Sequence, residues 1–340
     1  MRVLVTGGAG FVGTNLVEAL SKDGHEISIL DNFSRSTAQK NLPYIKQTFP
    51  KVEIIKADVR DFDSVLKASQ GKDVIFNFAA QVAVTTSVQN PREDFEINAL
   101  GTLNALEAAR KNDCGVILTS TNKVYGDNVN RIPITEGAMR YDFSGDFKGK
   151  GVPETFSIDA DEHSPYGCSK LAADVYTRDY AAIYGVPTAV NRMSCIYGLH
   201  QYGTEDQGWV AHMIISALLG KKINVYGDGK QIRDLLFGSD LAKLYVLEAK
   251  NLDRIKGQAF NVGGGPQNTL SLLELFEILR SFGLKVNTSY SEWRPADQKV
   301  YYSDISKVSR TFNWSPSISA PQGVKMLYEW TKINAANPTA

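Results

Sequence analysis

Thr6-Gly7-Gly8-Ala9-Gly10-Phe11-Val12-Gly13 joins a short apolar run, Val3-Leu4-Val5, to a stretch in which Phe11, Leu16 and Leu20 are available for one helical face. A strand that turns through glycines into a helix is the frame that holds a dinucleotide pyrophosphate. Gly7 permits the tight turn, Gly10 lets the backbone approach a pyrophosphate, and Gly13 allows close packing of helix and strand. Phe11 and Val12 open the helix whose amino terminus faces the phosphates. Asp31 ends the next apolar run about 20 residues on, where a carboxylate accepts both ribose hydroxyls and repels a 2′-phosphate. This favours NAD; Arg35 is the nearby feature that argues for NADP. Asp58-Val59, after the third strand, is placed to bracket the adenine, although Asp58 reads equally well as a turn acid.

Outward from this loop, apolar runs alternate with helical patterns. Strands are expected at Ile27–Leu30, Val52–Ile55, Val74–Phe78, Val116–Leu118 and Thr188–Asn191, with helices around Asp61–Ala68 and Arg92–Lys111. Continuous apolar strands separated by helices give an α/β fold, a doubly wound parallel sheet covered on both faces, with ligands at the carboxyl ends of its strands. Residues 1–195 read as a Rossmann-type NAD-binding domain, interrupted at 127–163 by a polar, glycine-containing insertion that reads as a substrate-side cover, with a mobile surface loop as the alternative. Residues 196–340 read mainly as a smaller C-terminal substrate lobe, with some segments returning to the first domain. Its clearest element is the amphipathic run Leu270–Phe282, opened by Ser271 and Glu274 at capping-box spacing.

Ser164-Pro165-Tyr166-Gly167-Cys168-Ser169-Lys170 starts another helix, with Ser164 as cap and Pro165 at the first helical position. Residues four apart share a helical face, so the Lys170 ammonium lies beside the Tyr166 phenol. A phenol that titrates near pH 10 needs a shift of roughly 3 units, about 4 kcal/mol, to act as a base near neutrality. One positive charge about 4 Å away supplies a similar magnitude at an effective dielectric of about 20. Thr121 ends the fifth strand, where its hydroxyl can meet Tyr166 over a reacting sugar hydroxyl.

Composition narrows the partners. Lysine plus arginine equals aspartate plus glutamate, 37 each in 340 residues, which leaves no global field for nucleic acid or an anionic membrane. Three widely spaced cysteines make neither a metal-ligand set nor a disulfide framework, so no metal is expected. With no basic leader and no long apolar segment, a cytoplasmic location is expected, without membrane attachment.

The glycine motif, the strand-end Thr121 and the Tyr166-x-x-x-Lys170 pair together resemble the extended short-chain dehydrogenase/reductase family. By that resemblance Tyr166 is the acid/base, Lys170 holds the nicotinamide ribose and lowers the tyrosine pKa, and Thr121 bonds the reacting hydroxyl. The cofactor-side positions it implies also include Asn32, Ser34, Ala79, Ala80, Gln81, Asn98 and Met193. Sugar-nucleotide 4,6-dehydratases of this family carry an Asp-Glu pair after the threonine; Asn122-Lys123 stands there in this chain, which disfavours dehydration. The runs Gln81–Ser87, Ser120–Asp127, His163–Lys170, Asp206–Val210 and Lys230–Asp234 resemble the CDP-paratose (CDP-tyvelose) 2-epimerases. The resemblance implies an NAD-dependent isomerase acting on a nucleotide diphospho-sugar, with substrate residues Thr85, Asn122, Ser194, Gln207, Val210, Tyr226, Arg233, Arg294 and Asp297. The arginines match diphosphate ligands and Asp297 matches the acid that holds the nucleoside ribose. A UDP-hexose 4-epimerase is the alternative and a non-catalytic NAD-binding regulator the remote one. A homodimer or homotetramer is implied, paired through the Arg92–Lys111 and Tyr166–Tyr184 helices, where alanines at 105, 108, 109, 172, 173, 181 and 182 would permit close contact or equally face the core.

Overall fold

Seven strands form the sheet that positions the site: β1 Arg2–Thr6, β2 Glu26–Asp31, β3 Glu53–Lys56, β4 Val74–Asn77, β5 Gly115–Thr121, β6 Thr188–Met193 and β7 Gln258–Val262. Their spatial order is β7-β6-β5-β4-β1-β2-β3. The pairs from β3 through β6 are all parallel, with Val5 opposite Ile29 on one side and Phe76 on the other. The order reverses at β1, which lies between β2 and β4, so the glycine loop leaves the sheet at its topological switch point. Val3, Leu4, Val5, Ile75, Phe76 and Val116–Leu118 are all fully or almost fully buried, as a sheet covered on both faces requires.

This computed structural model describes residues 1–294 and 297–334. The chain divides into two compact units. The first comprises Met1–Val124, Ser164–Met193 and Leu241–Phe260 and carries the sheet; the second comprises Tyr125–His163, Ser194–Asp240 and the chain from Asn261 onward. The segment 127–163 therefore belongs to the second unit, and Leu241–Phe260 returns to the first.

Two features of the first unit were not legible in the residue pattern. Ser36–Thr48 is a helix despite Pro43 within it, buried only through Ala38, Asn41 and Ile45, so its apolar period is too sparse to register. The helix expected over Arg92–Lys111 is present, unbroken from Pro91 to Asn112, but it widens into a π-turn over Glu96–Leu100 between Pro91–Phe95 and Gly101–Asn112. Thr102 Oγ1 donates to the Asn98 carbonyl at 2.6 Å, and the missing side chain of Gly101 admits Val59, whose Cγ2 would lie 2.8 Å from a Cβ there.

The second unit has its own core, built from the helices Trp209–Leu218, Leu272–Ser281 and Ala320–Asn334 around Tyr197, Ile214, Phe237, Leu275 and Val324. Ser271 and Glu274 close the expected capping box in both directions, at 3.1 and 2.9 Å. Strand Ile232–Phe237 pairs in parallel with Cys195–Tyr197 and Val300–Tyr301, and antiparallel with Thr269–Ser271. The insertion is stitched to this frame. Its hairpin, Ile134–Glu136 against Tyr141–Phe143, sends Arg140 bidentately onto Glu274 at 2.6 and 2.5 Å, and Tyr141 donates to Asp228 at 2.5 Å. A guanidinium fork closed on a carboxylate in this way fixes orientation as well as distance.

Candidate active site

The loop after β1 is held by backbone geometry that only glycine permits. Gly7 has a φ of +64°, donates to the Leu30 carbonyl at 2.8 Å, and a Cβ there would meet Ala79 N at 2.8 Å. Gly10 precedes the helix Phe11–Lys22, and a Cβ on it would meet only the Gly7 carbonyl, at 3.1 Å, so the helix mouth stays clear. Gly13 faces the loop more than the strand: its Cβ would lie 2.6 Å from Gly8 Cα. Gly8, which the fingerprint did not single out, is equally constrained, because a Cβ would meet Ile29 Cγ2 at 2.5 Å. Its only sequence signal was the second glycine of a pair. A backbone cradle at a helix amino terminus fits an anionic pyrophosphate.

Asp31 ends β2 as a buried carboxylate that accepts from Ala9 N at 3.2 Å and Phe33 N at 2.8 Å. Burial raises its pKa, and those two amides together with the Arg35 charge oppose the rise. Asn32 donates to Asp58 at 2.9 Å and accepts from Ser34 N at 3.0 Å, so these three form one turn beside Asp31. Asp58 is further engaged by Arg60, at 2.9 and 2.8 Å, which with the Asn32 bond holds its carboxyl far below the usual range. Asp58 is thus a turn acid in its contacts. Val59 is a buried side chain whose carbonyl accepts from Asn104 at 2.9 Å. Arg35 is exposed as a residue, yet its guanidinium acts electrostatically on both Asp31 and Tyr166.

Tyr166 opens the helix Pro165–Ile183 as the sequence implied: Ser164 Oγ accepts from Gly167 N at 3.2 Å, and Pro165 takes the first turn. The Tyr166 amide is also fixed, donating to Ser87 Oγ at 3.1 Å. Burial pushes the phenol up to about 12; a hydrogen bond with Thr121 and the Arg35 charge pull it down. Thr121 itself accepts from Lys123 N at 3.2 Å and donates to Asn122 Oδ1 at 3.3 Å, which holds its hydroxyl at the end of β5. Lys170, 3% exposed, donates to the Thr119 carbonyl at 2.5 Å, and burial lowers its pKa to about 8. The groups that depress the phenol here are thus Thr121 and Arg35, with Lys170 turned to the backbone of β5.

Around this centre, Ala79 N is bonded by Thr6 Oγ1 at 3.2 Å, and Gln81 N by Asn98 Oδ1 at 3.0 Å. Ala80 follows in the same partly buried turn after β4. Met193 ends β6, with Tyr245 OH 3.3 Å from its sulfur. Thr85, on the helix Val84–Gln89, has a buried hydroxyl with no protein partner among the described residues.

In the second unit Arg233 donates to Asp297 at 2.6 Å, and the Arg294 guanidinium lies 3.9 Å from the centre of the Tyr226 ring. Tyr226 OH donates to Glu205 at 2.8 Å. Arg294 and Asp297 line a pocket of about 310 Å³ together with Val129, Asn130 and Phe143 from the insertion. Gln207 sits in a tight turn with Thr204, N–H to carbonyl at 3.1 Å. Ser194 spends its hydroxyl on Asp234, and its N–H on the Val262 carbonyl at 2.9 Å. Val210 does not fit the expected list as a side chain: at 1% exposure it is packed into the core with Ala211 and Ile214, so only its backbone is available. His200, at φ +68°, is buried against Trp330 at 5.5 Å between ring centres.

Residues 3–263 match the model of the NAD dependent epimerase/dehydratase family. The CDP-paratose 2-epimerase of Salmonella typhi is 41% identical over 97% of this chain and 99% of its own length. A putative UDP-glucose 4-epimerase of Methanocaldococcus jannaschii is 32% identical over 98% and 99%. Among solved structures, the Thermus thermophilus UDP-glucose 4-epimerase in complex with NAD superposes with a TM-score of 0.80 at 27% identity, over 98% of this chain and 99% of that one. The chain is a member of the NAD dependent epimerase/dehydratase family.

Proposed function

We propose that the protein is an NAD-dependent isomerase that inverts carbon 2 of a CDP-hexose, of the CDP-paratose to CDP-tyvelose type. The observation that carries this reading is the 41% identity to a CDP-paratose 2-epimerase across the full length, combined with the Thr121, Tyr166 and Lys170 arrangement. Bound NAD would take up a hydride from the sugar and return it. Gly7–Gly13 would hold its pyrophosphate, Asp31 its adenosine ribose and Lys170 its nicotinamide ribose.

The chain's own part in the chemistry is proton management. Tyr166 accepts the proton of the sugar hydroxyl as hydride leaves and returns it after the ketone has turned over, so one group serves as base and then acid. Thr121, bonded to the phenol, orients the same hydroxyl. The rise to about 12 that burial imposes on Tyr166 must be reversed by added positive charge, which Lys170 turned toward the phenol would supply, together with the positive charge of the oxidised cofactor when bound. Thr85, with its buried unpartnered hydroxyl, is suited to a sugar hydroxyl. Arg233 and Arg294 suit the diphosphate, because guanidinium forks match phosphate oxygens, and Asp297 suits the nucleoside ribose. A tether of this kind retains the ketone while it reorients.

UDP-hexose 4-epimerisation is the second reading, favoured by the 32% identity to the putative UDP-glucose 4-epimerase. Offering CDP-paratose and UDP-glucose separately, without added cofactor, and reading the products by proton NMR discriminates them. Inversion at carbon 2 of the CDP-sugar is expected; inversion only at carbon 4 of the UDP-sugar overturns the assignment.

A homodimer or homotetramer fits Val88, Phe95, Val175, Tyr176 and Ile183, large apolar residues left 44–64% exposed on the first unit's helices. The alanines at 105, 108, 109, 173 and 181 are core residues of the protomer, leaving Ala172 and Ala182 for such a contact. A cytoplasmic location fits the three free cysteines, Cys114, Cys168 and Cys195.

A further inference from the structure

We propose that Asp94 is a positioning residue that, through Ser169 and Asn98, fixes the helix turn carrying Tyr166 and Lys170 and keeps a negative charge beside them. Asp94 sits on Pro91–Phe95, immediately before the π-turn that carries Asn98. Asp94, Asn98 and Ser169 are each 1% exposed. Ser169 Oγ donates to Asp94 Oδ2 at 2.5 Å, Gln81 Nε2 to Oδ1 at 2.9 Å, and Asn98 Nδ2 to Oδ1 at 3.1 Å. Asn98 is locked in that orientation because its own Oδ1 accepts from Gln81 N at 3.0 Å. Burial raises the Asp94 pKa, and the three donors that converge on the carboxylate, with the Lys170 charge, oppose that rise in the pattern of the ionised form.

A buried charge normally finds an opposite charge. Asp94 is held by a hydroxyl and two amides, and the cation it acts on is Lys170, one residue beyond Ser169. Asp174 also faces Lys170, but Arg192 at 2.8 Å and Arg178 at 2.8 Å already neutralise it. Asp94 is therefore the negative charge near the pair that no arginine offsets. Its charge favours the protonated form of both partners, opposing burial at Lys170 and adding to burial at Tyr166, while Arg35 and Thr121 act on Tyr166 in the opposite sense. The carboxylate thus keeps the lysine cationic inside a dry site, at the cost of a less acidic phenol, and ties both to the π-turn.

The test is Asp94→Asn, nearly isosteric but neutral, in the NAD-loaded protein. Tyrosine ring-¹³C NMR, with the Tyr166 signal assigned by its loss in Tyr166→Phe, follows the phenol directly and needs no turnover. The proposal expects the Tyr166 midpoint to fall by about 1 pH unit. Asp94→Glu, which restores the charge, is expected to restore the midpoint even where its geometry slows the reaction. If Asp94→Asn does not fold, Asp94→Ser carries the same arm. An unmoved midpoint in the folded neutral variant overturns the proposal and leaves Asp94 a packing residue. The activity arm rests on the epimerase reading: both limbs of the kcat/KM profile should move to lower pH in Asp94→Asn, by about the NMR shift. A fall in rate with stationary limbs overturns it. Failure of the epimerase reading itself would show as no turnover in the wild-type protein, and the NMR arm would still decide the proposal.

Discussion

The Lys170 ammonium donates to the Thr119 main-chain oxygen at 2.5 Å, so the lysine four residues beyond Tyr166 is anchored on β5, the strand that ends in Thr121. This buried cation costs stability. Its pKa falls from 10.5 to about 8, which corresponds to a penalty on the order of 3 kcal/mol. The folded value lies below the unfolded one, so the penalty is fully present below about pH 8 and is relieved as pH rises toward the unfolded value.

Lys170→Met should therefore raise the melting temperature of the NAD-free protein at neutral pH by a few degrees, while lowering turnover by about 100-fold or more. Scanning calorimetry beside a turnover assay checks both. A melting temperature that falls would mean that the Thr119 hydrogen bond outweighs the burial cost.

Glycine substitutions should separate by what their Cβ would meet. Gly13→Ala places a methyl 2.6 Å from Gly8 backbone atoms, which cannot yield without reshaping the loop. Gly24, at φ +72°, has open space around it, so Gly24→Ala carries only a conformational cost of about 1 kcal/mol. NAD content after purification should collapse in the first variant and stay normal in the second. Equal NAD content in both would remove the loop from the cofactor site.

Glu248 should make stability fall with pH. It is buried under β6, accepts from Asn191 Nδ2 at 2.7 Å, and its other oxygen has no hydrogen-bond partner among the described residues. Burial raises its pKa from 4.5 to about 8, so the contribution of the neutral acid is complete below the unfolded value and is lost as pH rises to about 8. Glu248→Gln should match the wild-type melting temperature near about pH 5 and exceed it by several degrees near about pH 9. Thermal melts at the two pH values decide it; a constant difference would show that Glu248 is not the titrating group.

Arg233→Ala should raise KM for the nucleotide sugar by about 10- to 100-fold with a smaller change in kcat, because the lost fork holds substrate and transition state alike. Asp297, its partner at 2.6 Å, is then left without that cation. Steady-state kinetics resolve the two constants. A loss confined to kcat would place Arg233 in the chemistry instead.

What could be read in advance followed from local rules. Gly7, Gly10 and Asp31 announce themselves because a tight turn, a clear helix mouth and a strand-end acid each demand one residue type. Ser164, Pro165, Ser271 and Glu274 do so because caps are short-range. The Asp94–Ser169–Asn98 network could not be read, since its members are brought together by the π-turn and by packing 75 residues apart in sequence. That the Val210 side chain packs into the core, leaving only its backbone available, was also hidden, because a hydrophobic residue beside a polar motif carries no mark of whether it faces a ligand or the core. The resting partner of Lys170 was also hidden: helical spacing places the lysine beside the phenol, and only the sheet reveals the carbonyl that competes for it.

In the proposed reaction hydrogen leaves and rejoins the same sugar carbon, with Tyr166 handling only the hydroxyl proton. Its most direct test is CDP-paratose carrying deuterium at carbon 2, turned over in ordinary water by the purified protein without added NAD. CDP-tyvelose with the configuration at carbon 2 inverted and the deuterium retained there is the expected product. Inverted product that has exchanged its deuterium for solvent hydrogen would contradict it, because the carbon-bound hydrogen would then have left as a proton.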